Sequence, residues 1–183
     1  MAEVFPAAPP TTSLQDGGRC LPAIRDKQQE LLEVCCIERE FGLRAGEVGS
    51  EPWELDCFTF PAQMLHCHEA RLRVDRLADS AGMTDEARAD VMLAVGEAVA
   101  NAVEHGNGGD TNGSFTVRCV ATPSRVLVSV SDRGPGFRLD DLPTIEDSLA
   151  SERGRGVHCM NAVMDEVSFD FSSGTTVRMI KLG

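Results

Sequence analysis

The sequence predicts an α+β fold: a two-layer sandwich with helices on one face of a mixed, mostly antiparallel sheet. Two observations predict it. Segments with apolar residues at helical spacing dominate the first part of the chain, and pairs of β-rich runs joined by short turns dominate the second. Hydrophobic residues make up 42% and charged residues 25% of the 183 residues, which is typical of a soluble globular chain with one domain of ordinary size.

The N-terminal part of the chain divides into an arm and a linker. Residues 1–20 are rich in Pro, Gly, Thr and Ala, which indicates a disordered or loosely attached segment. Residues 24–41 carry apolar side chains among charges and predict one amphipathic helix. Residues 42–52 have the glycines and proline of a linker. We therefore expect an arm over residues 1–53 and a folded domain over residues 54–183.

The first half of that domain reads as a strand followed by two helices. Residues 57–60 alternate and end at a proline, so they predict a short strand. Residues 63–80 predict a helix. A second helix starts after its expected N-cap, Thr84, and continues to about His105. Its apolar stripe is predicted to face the core: Val91, Val95, Ala98, Val99, Ala102 and Val103.

The second half reads as two hairpins with a short helix between them. Residues 115–120 and 126–130 are β-rich and flank a Pro-Ser turn. Residues 167–171 and 175–181 are strands around a Ser-Ser-Gly turn. Residues 157–164 predict the short helix. An acidic connection without a clear pattern precedes this helix.

Charge and cysteine content limit the possible environments. A formal net charge of −12 argues against nucleic-acid or anionic-membrane partners, because both attract cationic surfaces. No run approaches 18 apolar residues, and the N-terminus lacks the apolar core of a signal peptide. The seven cysteines include no CxxC pair, so we expect free, mostly buried thiols in a reducing cytoplasm.

Three polar motifs follow one another along the chain. Glu97 and Asn101 are four residues apart, so on a helix their side chains share one face, away from the apolar stripe. Such a pair can hold a metal ion and activate a nucleophile. Two turns follow in which glycines allow the backbone to approach a nucleotide: Asp132-Arg-Gly134-Pro-Gly136 and Gly154-Arg155-Gly156.

Each motif alone has a plainer interpretation. A Glu–Asn pair on a helix is usually a solvated face, and Asp, Gly and Pro favour ordinary turns. The three motifs in this order favour an ATP site without a Walker loop. The sequence His66-Cys67-His68 is interpreted as a helix start rather than a metal site, because no partner cluster has matching spacing.

This order of motifs, with Gly174-Thr175 near the last strand, resembles the ATPase superfamily of gyrase, Hsp90, histidine kinases and MutL. Within it, residues 97–106 and 164–167 are most similar to the anti-sigma factor serine kinases. The resemblance covers roughly residues 55–183. It implies a histidine kinase-like ATPase fold, ATP and Mg²⁺ as cofactors, and a serine/threonine protein kinase that acts as an anti-sigma factor.

The resemblance also implies a role for each motif residue. Glu97 is the general base or a water-polarising carboxylate, and Asn101 is the magnesium ligand. Asp132 accepts a hydrogen bond from the adenine amino group, and Thr175 supports the adenine site. Arg155 can add charge-assisted contacts to the phosphates. The glycines let the backbone pass under the base or wrap the phosphates: Gly134, Gly136, Gly154 and Gly156.

The resemblance further implies partners. The kinase would phosphorylate a small antagonist protein on serine or threonine, and unphosphorylated antagonist would draw it away from a sigma factor. A homodimer is also suggested. Two alternatives stay open. One is the catalytic fragment of a two-component histidine kinase, although residues 24–41 contain no phosphoacceptor histidine. The other is a nucleotide-sensing module without catalysis, which an intact Glu97 disfavours.

Overall fold

The elements of the chain follow the predicted alternation of helices and hairpins. A computed structural model describes residues 27–44, 46–48, 51–106, 113–139, 142–144, 146, 148 and 154–183. The predicted arm over residues 1–20 therefore lies outside the described residues. The described elements are, in chain order, α1 (Lys27–Glu40), β1 (Glu54–Pro61), α2 (Leu65–Ser80), α3 (Asp85–Glu104), β2 (Ser114–Thr122), β3 (Arg125–Asp132), α4 (Arg155–Val163), β4 (Glu166–Asp170) and β5 (Thr175–Leu182).

The strands form one five-stranded sheet in the order β1-β2-β3-β5-β4. Every pairing of neighbours is antiparallel. The two predicted hairpins are present, because β2 pairs with β3 and β4 pairs with β5. The predicted α+β fold is confirmed, and the described sheet has none of the parallel pairs that a mixed sheet would contain.

One face of the sheet carries the main core, under α2, α3 and α4. Thr84 caps α3 as predicted, with its hydroxyl oxygen accepting from the Ala87 backbone nitrogen at 3.3 Å. The predicted stripe of α3 is buried except for Val103, which is half-buried against the core. Inward-facing side chains of the central strands meet this stripe: Val117, Cys119, Val128, Val130 and Met179.

Helix α1 lies on the opposite face of the sheet. Val34 and Ile37 are buried in one cluster with Val120, Leu127 and Ile180. These three strand residues are paired across β2, β3 and β5, and they have the opposite parity to the residues of the main core. The structure thus adds a helix to the face that the sequence analysis left without one.

A buried carboxylate fixes the segment that follows α1. Glu38 is 1% exposed, and its two carboxylate oxygens accept hydrogen bonds from the backbone nitrogens of Gly46 and Val48 at 2.9 and 2.7 Å. Two ion pairs at longer sequence range join the same region to the sheet, Glu40 with Arg118 and Glu47 with Arg125. Residues that precede β1 therefore belong to the packing of the sheet.

We expect Ile37→Ala to lower the free energy of unfolding by about 2 kcal/mol, because it opens a cavity in the cluster between α1 and the sheet. The matched control is Leu32→Ala on the same helix, since Leu32 is 64% exposed and its truncation should change stability by less than about 0.5 kcal/mol. Urea denaturation measures both variants. Equal stability of Ile37→Ala and the parent would show that α1 does not hold to the sheet in solution.

The cysteines differ from expectation in their burial. Among the six that the structure describes, all are free thiols, but only Cys119 is fully buried. Cys35, Cys36 and Cys57 are exposed, so the expectation of mostly buried thiols is wrong for this part of the chain. None of the described helices combines the length and apolarity needed to cross a bilayer.

Candidate functional site

The Glu97–Asn101 pair lies where α4 packs against α3. Both side chains are half-buried and one helical turn apart. Gly156 faces them so closely that a Cβ at this position would lie 3.0 Å from Glu97 Oε2 and 3.1 Å from Asn101 Nδ2. The absence of a side chain at Gly156 therefore lets the start of α4 come up to the pair. The structure brings the helix motif and the second glycine turn together.

The start of α4 is free of side-chain capping. Its N-cap is Gly154, which has a φ of 72° and makes no side-chain cap hydrogen bond. The first backbone N–H groups of a helix have no acceptor within the helix, and the helix dipole favours negative charge there. This end of α4 is suited to a phosphate group. The helix begins at Arg155, two residues before the start that the sequence analysis gave it.

Described parts of the acidic connection between the glycine turns contact this helix end. The Arg155 guanidinium donates through Nε to the Ser148 carbonyl oxygen at 3.1 Å. His158 Nε2 and the Pro143 carbonyl oxygen are 2.9 Å apart. Most of the acidic residues of this connection lie outside the described residues. In the described residues, direct hydrogen bonds thus hold the connection to the start of α4.

Asp132 stands at the end of β3, opposite Thr175 on β5. Its Oδ1 accepts a hydrogen bond from the Gly134 backbone nitrogen at 2.7 Å. Burial raises the pKa of Asp132, and hydrogen bonds from Gly134 and from the backbone and hydroxyl of Thr175 act against that rise. The carboxylate thus accepts from the Gly134 backbone and keeps further lone pairs for a ligand that donates.

Close backbone contacts surround Asp132. A Cβ at Gly106 would overlap Asp132 Cγ, a Cβ at Gly134 would overlap the Gly106 carbonyl, and a Cβ at Gly174 would overlap the Asp132 carbonyl. The sequence analysis included Gly106 in the segment 97–106 that resembles the anti-sigma factor kinases but gave it no role of its own. Its position directly after the helix that carries Glu97 and Asn101 was a signal that it lies near the site. A glycine at the end of a helix does not, however, predict which residue it contacts.

The predicted site residues form two groups along the C-terminal half of α3. One group is the pair of Glu97 and Asn101 with the Gly154–Gly156 turn. The other group is Asp132 with its glycine turn and Thr175, next to Gly106 at the end of the helix. Gly106 is nine positions after Glu97, which at the rise of a helix is about 14 Å. A spacing of this order between the two groups suits an extended nucleoside triphosphate.

The oxygen donors at the Glu97 end fit a magnesium ion. Carboxylate and amide oxygens are the hard ligands that Mg²⁺ takes, and it usually takes only one or two from the protein when phosphates supply others. Asn101 offers such an amide oxygen beside the backbone of Gly156. His66, by contrast, stacks on Phe60 with ring centroids 4.9 Å apart, as a packed helix residue does.

Comparisons with known proteins identify relatives of this chain. The family described as the histidine kinase-like ATPase domain matches residues 60–181. The serine-protein kinase RsbW of Bacillus subtilis is 36% identical over 129 residues, which is 66% of this chain and 81% of that protein. The serine-protein kinase RsbW of Listeria monocytogenes is 30% identical over 129 residues, 66% of this chain and 82% of that protein.

A solved structure shows the same fold. The crystal structure of the RsbU and RsbW domains of a Mycobacterium tuberculosis protein superposes with a TM-score of 0.53 at 23% sequence identity. The match covers 70% of this chain and 32% of that longer chain. At this identity the likeness supports the fold alone.

Proposed function

The chain belongs to the histidine kinase-like ATPase domain family, and from this we propose that it is an ATP-dependent serine/threonine protein kinase that acts as an anti-sigma factor. Relatives named serine-protein kinase RsbW share 30–36% of aligned residues and match over about four fifths of their own length. The single observation that carries the proposal is the contact of Gly156 with Glu97 and Asn101, which joins a carboxylate, an amide and an uncapped helix end.

At one end of the site, Asp132 selects the base. Its carboxylate accepts a hydrogen bond from the exocyclic amino group of adenine, while Gly134 and Thr175 hold it in place. Guanine carries a carbonyl at the corresponding position and cannot donate there. We infer that ATP is preferred to GTP.

At the other end, Glu97 and α4 act on the triphosphate. The backbone amides at the start of α4 and Arg155 bind the phosphate oxygens. Glu97 takes the proton from the serine or threonine hydroxyl of the substrate protein as its oxygen attacks the γ-phosphorus, and the bond to the β-phosphate oxygen breaks to leave ADP. Asn101 would hold Mg²⁺, which when bound offsets the charge of the phosphates.

The partners follow from the same proposal. The substrate is a small antagonist protein, and the unphosphorylated antagonist competes with a sigma factor for the kinase. We propose a cytoplasmic location, a homodimer, and an ATPase domain over residues 54–183, with an arm over residues 1–53 whose helix α1 packs on the sheet of that domain. The alternative of a histidine kinase fragment needs a phosphoacceptor histidine on a preceding helix, and α1 has none.

The test of this function is phosphate transfer. The full chain is incubated with γ-labelled ATP, Mg²⁺ and the small acceptor proteins that a pull-down from the native cell extract recovers. Label on a serine or threonine of one acceptor supports the kinase. Nucleotide binding without any transfer to a protein would instead favour the nucleotide-sensing module.

Partner binding is expected to depend on the nucleotide. The described connection is tied to α4 through Arg155 and Ser148, so groups that bind phosphate also contact this connection. A partner that contacts it should bind with affinities that differ about 5- to 150-fold between ADP and a non-hydrolysable ATP analogue. Antagonist affinity is measured in both states and again with Arg155→Ala, which should reduce the difference. Equal affinities in the parent would leave a kinase without a nucleotide switch.

A further inference from the structure

Three phenylalanines join the Asp132 turn to the β4–β5 hairpin. The Phe137 ring lies 5.1 Å from that of Phe171 and 5.5 Å from that of Phe169, at near-perpendicular angles of 73° and 74°. The Phe169 and Phe171 rings are parallel and 6.1 Å apart. Phe137 and Phe171 are each 37% exposed, so these rings are not simply part of the main core.

The cluster contacts the Asp132 turn at Gly136. Gly136 has a φ of 71°, a conformation that L side chains rarely adopt. An added Cβ there would lie 2.7 Å from Phe171 Cδ1, so the ring covers the Gly136 backbone directly. Gly174, in the same hairpin, contacts the Asp132 carbonyl. The hairpin therefore supports the turn at both of its ends.

We propose that Phe171, together with Phe137 and Phe169, is a positioning residue that holds the turn from Asp132 to Phe137 in the form that receives adenine. This rests on the proposed function. Asp132 fixes its own end of the turn through the Gly134 backbone nitrogen. Gly136 has no side chain of its own to anchor the other end, so the aromatic ring supplies the anchor. Loss of the ring would leave the turn to be ordered when nucleotide binds, at a cost in affinity.

Loss of the Phe171 ring should affect binding of the adenine end of the nucleotide and not the chemistry at the γ-phosphate. Phe171 contacts neither Glu97 nor Asn101 among the contacts of the described residues, so chemistry at the γ-phosphate should continue once ATP is bound. The Kd values for ATP and ADP should rise together, and the KM for ATP should rise while kcat holds. A residue that only supports folding would lower the melting temperature and the active fraction without this split.

The experiment compares Phe171→Ala with its conservative variant Phe171→Leu and with Leu182→Ala, which removes an exposed side chain at the far end of β5. Calorimetry with ATP and with ADP is the readout, beside thermal melts and steady-state phosphotransfer. We expect Phe171→Ala to weaken both nucleotides about three- to tenfold. Phe171→Leu should recover most of that loss, and Leu182→Ala should bind as the parent does.

A second variant keeps the test valid if Phe171→Ala folds poorly. Phe137→Ala removes the same ring contact from the side of the turn and should weaken both nucleotides by a similar factor. Parental affinity in both alanine variants would overturn the positioning role and leave the kinase proposal intact. A parental chain that binds no adenine nucleotide would overturn the proposed function, and this inference with it.

Discussion

Glu97→Gln is expected to lower the rate of phosphate transfer by about 10²- to 10⁴-fold, the usual contribution of a general base. The amide has nearly the shape of the carboxylate but cannot take the proton of the attacking hydroxyl. ATP affinity should stay close to that of the parent, because the Gly156 backbone that faces position 97 still has room for an isosteric side chain. Single-turnover transfer to the antagonist measures the chemistry, and calorimetry measures the binding.

Glu104→Gln is the matched control, since it makes the same change on the same helix at an exposed side chain. It should transfer phosphate at the parental rate. Asn101→Ala tests the other member of the pair. It should weaken nucleotide binding only in the presence of Mg²⁺, whereas Glu97→Gln should slow transfer without weakening binding. If Glu97→Gln transferred phosphate as fast as the parent, the base would have to be a different group.

Local patterns predicted most of the elements because their causes are local. The helix expected from Thr84 to about His105 is observed over Asp85–Glu104, since an N-cap and an apolar stripe define it within its own sequence. The strand expected over residues 57–60 is longer, Glu54–Pro61. Its extra residues are strand because they pair with β2, and such a pairing at long range is not visible in a local pattern.

The place of α1 could not be read from its own sequence. The helix was predicted, and among its described side chains the well-buried apolar positions are Val34 and Ile37. The stronger signal lay in β3, where Val126, Leu127 and Val128 are all fully buried. Such a continuous apolar run is typical of a strand that is covered on both faces. It indicates that something covers the reverse face of the sheet, without indicating which segment does so.

The site motifs were predicted in order, and the structure adds the contacts between them. Spacing placed Glu97 and Asn101 on one face of a helix, but the approach of Gly156 crosses more than fifty residues of sequence. The contacts of Gly106 with Asp132 and of Phe171 with Gly136 are also distant in sequence, although by fewer residues. These contacts depend on how the end of α3, α4 and the β4–β5 hairpin pack against the rest of the fold. The catalytic and binding roles given to the motif residues stay predictions.

Asp132→Asn is expected to weaken ATP binding by about 1–3 kcal/mol, or roughly 5- to 150-fold, because it leaves buried polar groups unpaired. The carboxylate now accepts from the Gly134 backbone nitrogen, lies opposite Thr175, and keeps an acceptor for the adenine amino group. An amide replaces one of these acceptors with a donor. The NH₂ group must then face either the donors of the protein or the donor of the base.

The same substitution should remove the preference for adenine. The parent is expected to bind ATP better than GTP, and Asp132→Asn should bring the two affinities together, since its amide can donate to the guanine carbonyl. Asp85→Asn is the control for the lost charge, because the Asp85 side chain is fully exposed at the start of α3. Calorimetry with both nucleotides, on variants that melt cooperatively, decides the matter. ATP affinity that stays parental in Asp132→Asn would place the base elsewhere, and the close packing of Gly106, Gly134 and Gly174 around this carboxylate would then serve the fold rather than the nucleotide.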